Sequence, residues 1–126
     1  MGSLCYGHVG GFLGEALLKF FLKEELIKRN EDDYFITDKG WDELELIGID
    51  IDSLRSIKSK IVKVCVESNY GIIYEHIGSY LGAFLFDKMC ELGWVEKKDD
   101  KHFEITEKGL IGLTSFGVEI KPLAYR

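Results

Sequence analysis

The chain has 126 residues, of which 46% are hydrophobic and 13% aromatic, and its formal net charge is −6. Such a composition supports one compact domain or two small packed lobes without disulfide or metal staples. The negative charge argues against tight binding to nucleic-acid phosphates unless the protein has a local basic surface.

The first predicted element lies between Tyr6 and about Arg29, where apolar residues recur at steps of three and four. This spacing indicates one long helix, or two helices with a break at Gly10-Gly11. Residues 26–29 and 34–37 flank an acidic segment, which is typical of a β-hairpin with a polar tip. Thr37 is a good N-cap for the short helix that follows and that stops at Gly48.

Asp52 and Ser53 predict the start of another helix, in which apolar residues occupy one face and lysines and an arginine the other. The same three elements then return. We expect a helix from about Tyr74 to Leu92, strands near residues 94–97 and 103–105, and a Thr106-capped helix that ends near residue 117.

Two blocks of sequence identity connect the halves of the chain. Tyr6-x-His8-x-Gly10-x-x-Leu13-Gly14 returns 68 positions later as Tyr74-x-His76-x-Gly78-x-x-Leu81-Gly82. Ile36-Thr37-x-Lys39-Gly40 returns as Ile105-Thr106-x-Lys108-Gly109. These identities indicate two copies of one supersecondary unit rather than a long solenoid array.

The sequence therefore predicts an α+β fold of two tandem winged-helix-like units, each with a helix, a β-hairpin wing and a helix. The predicted units span residues 4–51 and 70–121, and an amphipathic helix over 52–69 connects them. We expect the two units to pack against each other through a shared core.

The repeated blocks resemble the C-terminal half of a group of ArsR-type transcriptional regulators. The resemblance covers nearly the whole chain. It rests on the motifs Cys5-Tyr6-x-His8, Phe35-Ile36-Thr37-x-x-Gly40, Leu46-Ile47-Gly48-Ile49-Asp50, Leu92-Gly93-Trp94-Val95 and Ile105-Thr106-x-x-Gly109, together with Cys65, His76 and Leu81-Gly82.

The resemblance implies a non-catalytic effector or dimerisation region. Members of this group usually carry an N-terminal winged-helix DNA reader before the Cys-Tyr-x-His block. The implied partners are a second copy of the chain and that reader in the full-length protein, so DNA would be contacted only indirectly. A small-molecule or metal sensor and a weak, direct DNA-binding protein are the alternatives.

Direct reading of DNA is disfavoured by the side chains available. The chain has three arginines, two asparagines and no glutamine, and the stretches at 14–19 and 82–87 offer no bidentate base reader. The acidic first wing would repel phosphate. Any phosphate contact would come from the second wing, through Lys97, Lys98 and Lys101.

The Tyr-x-His pairs are the most specific polar signal. At the start of predicted helices, Tyr6, His8, Tyr74 and His76 could sense a ligand or a proton. We favour the alternative that these residues pack between the units and bond the backbone. Cys5 lies close to His8 in sequence, but no second close Cys/His pair follows, so we predict no metal site.

The repeated glycines Gly10, Gly14, Gly78 and Gly82 are predicted to lie inside helices, four residues apart in each copy. Glycine inside a helix costs about 1 kcal/mol, so close approach of two helices is the expected reason for these residues.

No catalytic motif, phosphate-binding loop or cofactor motif is found, and the protein is predicted not to be an enzyme. The sequence has no run of 18 apolar residues, its first four residues lack the pattern expected of a signal peptide, and the three cysteines form no C-x-x-C pair. These features predict a cytoplasmic protein with free thiols.

Overall fold

The fold combines helices with short antiparallel hairpins. The computed structural model describes residues 2–5, 8–9, 11–69 and 72–120, with side chains at 13–66, 73 and 75–120. The elements are β1 Gly2–Cys5, β2 His8–Val9, α1 Gly11–Lys23, β3 Ile27–Asn30, β4 Asp33–Ile36, α2 Asp38–Leu46, α3 Ile51–Ser56, β5 Lys63–Asn69, β6 Ile72–Gly78, α4 Ser79–Glu91, β7 Val95–Lys97, β8 His102–Ile105 and α5 Glu107–Phe116. The predicted α+β class is confirmed. None of the described helices has the length and apolar character needed to cross a membrane.

The same element order occurs twice. We call the elements from β1 to α3 unit 1 and those from β5 to α5 unit 2. In both units the predicted order of long helix, hairpin wing and short helix is present, as α1, β3–β4 and α2 and as α4, β7–β8 and α5. In both units the structure adds a hairpin before the long helix, β1–β2 and β5–β6, which the sequence analysis did not predict.

The predicted connecting helix over residues 52–69 is wrong over most of its length. Helix α3 ends at Ser56, and residues 63–69 form strand β5, which pairs with β6 along its whole length. The cap of α3 also lies earlier than predicted, because the Asp50 carboxylate accepts the Ser53 N–H at 3.1 Å. Val64 and Val66, two residues apart, fit the period of a strand. The lysines that precede them suggested the polar face of a helix instead.

The two long helices begin later than predicted. Helix α1 starts at Gly11, and His8 lies in strand β2. Helix α4 starts at Ser79, and residues 72–78 form strand β6. The Tyr-x-His motif of unit 2 therefore precedes its helix, and His8 of unit 1 occupies the equivalent strand position.

The Ile-Thr-x-Lys-Gly motif fastens each short helix to the end of the preceding long helix. The Thr37 hydroxyl accepts the Gly40 N–H at 2.9 Å and donates to the Glu25 carbonyl at 2.6 Å. In unit 2 the Thr106 hydroxyl accepts the Gly109 N–H at 2.9 Å and donates to the Gly93 carbonyl at 2.5 Å. The predicted Thr caps are thus confirmed, and each hydroxyl satisfies groups on two elements.

The glycine of this motif allows a close backbone approach. A Cβ atom on Gly40 would lie 2.1 Å from the Leu26 carbonyl oxygen, and one on Gly109 would lie 1.9 Å from that of Trp94. These distances are far below van der Waals contact. Only glycine permits α2 and α5 to lie against the start of their wings.

The hairpins are exchanged between the units. Strand β1 of unit 1 pairs with β8 of the wing in unit 2, which gives a four-stranded sheet in the order β2-β1-β8-β7. In the equivalent place, β5 of unit 2 lies beside β4 of the wing in unit 1. Helix α1 packs on β6 and α4 packs on β2, so each long helix lies on the other unit's hairpin.

Two hydrophobic cores result, and both long helices contribute to each of them. Leu18 and Phe21 of α1 lie in the core of unit 1, whereas Leu13 and Leu17 of the same helix lie in the core of unit 2. The equivalent residues of α4 are also divided between the two cores, in the opposite way. Leu81 and Leu85 lie in the core of unit 1, and Phe86 and Met89 in that of unit 2.

Candidate functional site

The predicted Tyr-x-His site is only partly within the described residues. Tyr6 lies outside them, and the side chains of His8 and Tyr74 are likewise outside. His76 is fully buried on β6. Packing between the units, favoured above for these four residues, and the alternative of a ligand site both stay predictions.

Each hairpin brings a cysteine opposite a histidine. In β1–β2 the backbone positions of Cys5 and His8 are direct partners, and in β5–β6 Cys65 is the partner of His76. The second pair could not be recognised from the sequence, because Cys65 and His76 are far apart in the chain and lie in different strands. Among the described side chains, no three His, Cys, Asp or Glu residues are grouped so that they could hold a metal ion.

The thiol of Cys90, on α4, has a raised pKa because it is partly buried and, secondly, because the Asp87 carboxylate lies nearby, whereas Lys97 acts in the opposite direction. A raised pKa lowers the fraction of reactive thiolate.

The repeated glycines occupy two kinds of position. Gly10 lies outside the described residues, and Gly78 ends strand β6 instead of lying inside a helix. Gly14 and Gly82 are buried inside α1 and α4, and together with Leu17, Ile77 and Leu85 they line a small gap. The absent side chains therefore leave room where the two long helices and β6 come together.

The three lysines that would provide any phosphate contact, Lys97, Lys98 and Lys101, lie at the second wing and are exposed. Lys98 forms an ion pair with Glu96 at 3.0 Å and approaches Glu104 at 3.7 Å. Lys97 lies 3.9 Å from Asp100. Their neighbouring carboxylates reduce the positive potential that this wing tip, which also carries Lys101, presents to a polyanion.

The tip of the second wing is ordered by Asp99. Its carboxylate accepts the Lys101 N–H at 2.8 Å and lies 2.9 Å from Nδ1 of His102. The pKa of Asp99 is lowered, first by the bond from the Lys101 backbone and then by that from His102. These bonds hold the turn at the tip of the wing.

An apolar cleft lies between the units, where α1, α2, α4 and α5 meet. Its cavity volume is about 30 Å³, which is room for about two water molecules. Its lining is drawn almost in equal measure from the two copies of the repeat, and it includes the equivalent pairs Leu17 and Leu85, Leu44 and Leu113, and Ile47 and Phe116.

Two residues with charged side chains contribute apolar atoms to this lining. Lys88 of α4 is only 14% exposed, and its ammonium lies 3.0 Å from the exposed carboxylate of Glu91. Glu43 of α2 is half-buried. Phe20 occupies the repeat position equivalent to Lys88, and Gly112 the position equivalent to Glu43.

This cleft was not predicted from the sequence, and neither Phe20 nor Lys88 was singled out. The available signal was that Phe20 and Lys88 occupy equivalent positions of the repeat, although one side chain is apolar and the other is charged.

Among known proteins, the chain is similar to the uncharacterized HTH-type transcriptional regulator YdfF of Bacillus subtilis (strain 168), with 22% identity over 108 residues. The match covers 85% of this chain and 47% of the relative, so the chain spans about half the length of the curated relative that it matches. No family model and no solved structure matches the chain significantly. The similarity supports a distant relationship to transcription regulators.

Proposed function

We propose that the chain is the non-catalytic effector and dimerisation region of an ArsR-type winged-helix regulator, and that it meets DNA only through an N-terminal reader in the full-length protein. The proposal rests on how the two long helices are packed. In a winged-helix DNA reader, the helix before the wing enters the major groove. Here the helices in that position, α1 and α4, pack on the hairpins of the opposite unit.

The sides of these helices that remain exposed are poorly suited to reading bases. Helix α1 exposes Lys19 and Lys23, and Lys19 is already paired with Glu15 at 3.2 Å. Helix α4 exposes Tyr80, Asp87 and Glu91. The carboxylates of α4 would approach phosphate with like charge, and neither helix contains an arginine, asparagine or glutamine for bidentate contacts to a base.

The similarity to an HTH-type regulator supports a place in transcription regulation. The chain spans about half of that relative. The length of the relative is therefore consistent with a separate DNA reader in addition to this region. The region would then act by holding two copies of the full-length protein at the spacing that an operator requires.

A gel-shift titration tests the absence of direct DNA reading. The 126-residue chain, at about 10 μM and ~150 mM salt, should leave labelled duplexes of several sequences unshifted. The control is the triple variant Lys97→Glu, Lys98→Glu, Lys101→Glu, which should behave like the wild type. A sharp, sequence-dependent shift that this variant loses would show direct binding through the second wing and would contradict the proposal.

Light scattering coupled to size exclusion tests the assembly role. The chain should elute with the mass of a dimer at protein concentrations of about 10–100 μM, the range in which moderately stable dimers form. A monomer at all of these concentrations would contradict a role in dimerisation.

A further inference from the structure

We propose that Cys5, His8, Cys65 and His76 are the four ligands of one structural zinc ion, which joins the hairpin of unit 1 to that of unit 2. The inference goes beyond the proposed function and does not depend on it, because such an ion would link the two units whatever the region regulates. It reverses the expectation of no metal site, since sequence spacing did not show that Cys65 and His76 are cross-strand partners.

The register of the two hairpins carries the proposal. Cys5 pairs with His8 across a connection of two residues, whereas Cys65 pairs with His76 across a much longer stretch of chain. The connections differ in length, yet each hairpin aligns one cysteine with the repeated histidine. The chain has three cysteines and three histidines, and two of each are placed in this way.

A cross-strand Cys–His pair is half of a tetrahedral zinc site. Side chains directly opposite each other in an antiparallel pair lie on the same face, with Cβ atoms about 4.5–5.5 Å apart. A thiolate and an imidazole at that separation can bind one ion, with Zn–S of about 2.3 Å and Zn–N of about 2.0 Å. Two such pairs supply two cysteines and two histidines, a closed ligand set that is typical of structural zinc.

The strands that carry the two histidines also contact each other. Residues of β2 and β6 have Cα atoms within 8 Å. Because β2 consists of His8 and Val9 alone, this contact is made at the histidine position or directly beside it. The repeat makes His8 and His76 equivalent, so the contact joins corresponding strands of the two units.

Cys65 and His76 lie on the face of their hairpin that is turned away from the long helices. On the other face, Ile77 lines a gap together with Gly14 of α1 and Gly82 of α4, and successive residues of a strand point to opposite faces. His76 is nevertheless fully buried. Besides its partner β5, strand β6 closely contacts α1, α4 and β2, which leaves β2 to cover the face of His76.

Only half of the ligand set belongs to the described side chains. Cys65 and His76 have described side chains, whereas Cys5 and His8 are placed by the register of their backbone. The absence of a three-ligand group among the described side chains is therefore compatible with a site that is completed by the other hairpin.

Metal content and cobalt spectra of the full chain test the site. After the protein is loaded with zinc and desalted, it should retain about one zinc ion per chain. Substitution with Co²⁺ should give the visible bands of a tetrahedral site and near-ultraviolet charge-transfer bands from two thiolates. Excess zinc should abolish both sets of bands.

Variants assign the ligands. Cys5→Ser and Cys65→Ser should each halve the thiolate charge-transfer intensity of the cobalt complex. His8→Gln and His76→Gln should each weaken zinc binding by more than about a hundredfold, because the loss of an outer-shell partner alone costs about 10- to 100-fold.

The third cysteine and the third histidine provide matched controls. Cys90 lies on helix α4, and His102 lies on the second wing, where it bonds to Asp99. Cys90→Ser and His102→Gln should therefore leave the zinc content and the cobalt spectrum unchanged.

Thermal unfolding of the wild-type chain gives a readout that does not depend on how well the variants fold. An ion that binds only the folded state stabilises it by mass action, so the midpoint should rise with free zinc and fall when a chelator is added. A midpoint that is insensitive to both would overturn the inference.

Three spectroscopic or analytical results would also overturn it. These are a chain that retains no zinc, a cobalt complex without thiolate bands, and control variants that change the spectrum as strongly as the ligand variants do. Half a zinc ion per chain would place the metal between two copies and would equally contradict a site within one chain. None of these results affects the proposed function, because dimer formation and the absence of DNA binding are measured independently.

Discussion

At the residue scale, the repeated Thr-x-x-Gly pair explains why the second block of identity persists in both copies. The threonine hydroxyl joins the N-terminus of a short helix to the carbonyl at the end of a long helix. The glycine lets the short helix lie against the carbonyl of the residue that starts the wing. This block therefore has a structural role that requires no ligand.

Gly109→Ala tests this interpretation, because we expect it to lower the free energy of unfolding, whereas a glycine-to-alanine change inside a helix usually raises it. Alanine normally stabilises a helix by up to about 1 kcal/mol relative to glycine. At Gly109 the new methyl group would collide with the backbone of Trp94, so we expect a loss of about 2–3 kcal/mol in the free energy of unfolding. Urea denaturation measures it, and Ser115→Ala, at an exposed position of the same helix, should change it by less than about 0.5 kcal/mol. A stabilised Gly109→Ala protein would show that the helix does not approach the wing so closely.

At the scale of elements, the sequence predicted those helices and strands whose signals lie within a few residues. Both wings and both Thr-capped helices were found, because polar tips and capping side chains act over a few residues. The hairpins before the long helices were missed. Apolar residues such as Ile77 and Leu81 are four apart and imitate a helix, although the β-branched and aromatic run over 72–77 favours a strand.

The exchange of the long helices between cores could not be predicted from periodicity. A helical pattern shows which side of α1 is apolar, but it does not show that Leu13 and Leu18 lie in different cores. The same limit applies to the cleft, because its lining is assembled from four helices that are distant in sequence.

Truncation of Leu81 tests the exchange directly. Leu81 belongs to unit 2 but is fully buried in the core of unit 1. Leu81→Ala should lower the free energy of unfolding by about 2–5 kcal/mol. Its largest methyl chemical-shift changes should fall in unit 1, at residues such as Ile36 and Leu44. Phe86→Leu, on the same helix, should perturb the core of unit 2 instead, and the reverse distribution would contradict the exchange.

At the scale of the whole molecule, the two units are interlocked. Each contributes helix surface to the other's core and a hairpin beside the other's wing. The two units therefore form an arrangement like an internal dimer, with a cleft where they meet. Helices that would face DNA in a free winged-helix module instead hold the two halves together.

The most direct test of this central claim is equilibrium unfolding followed separately in each unit. Trp41 reports on unit 1 in a Trp94→Phe protein, and Trp94 reports on unit 2 in a Trp41→Phe protein, with far-ultraviolet circular dichroism as the common reference in both. Interlocked units should unfold together, so in each protein the fluorescence and dichroism transitions should share one midpoint and one slope. A tryptophan transition that is displaced from the dichroism transition, with one unit unfolding while the other stays folded, would contradict the interlocked arrangement.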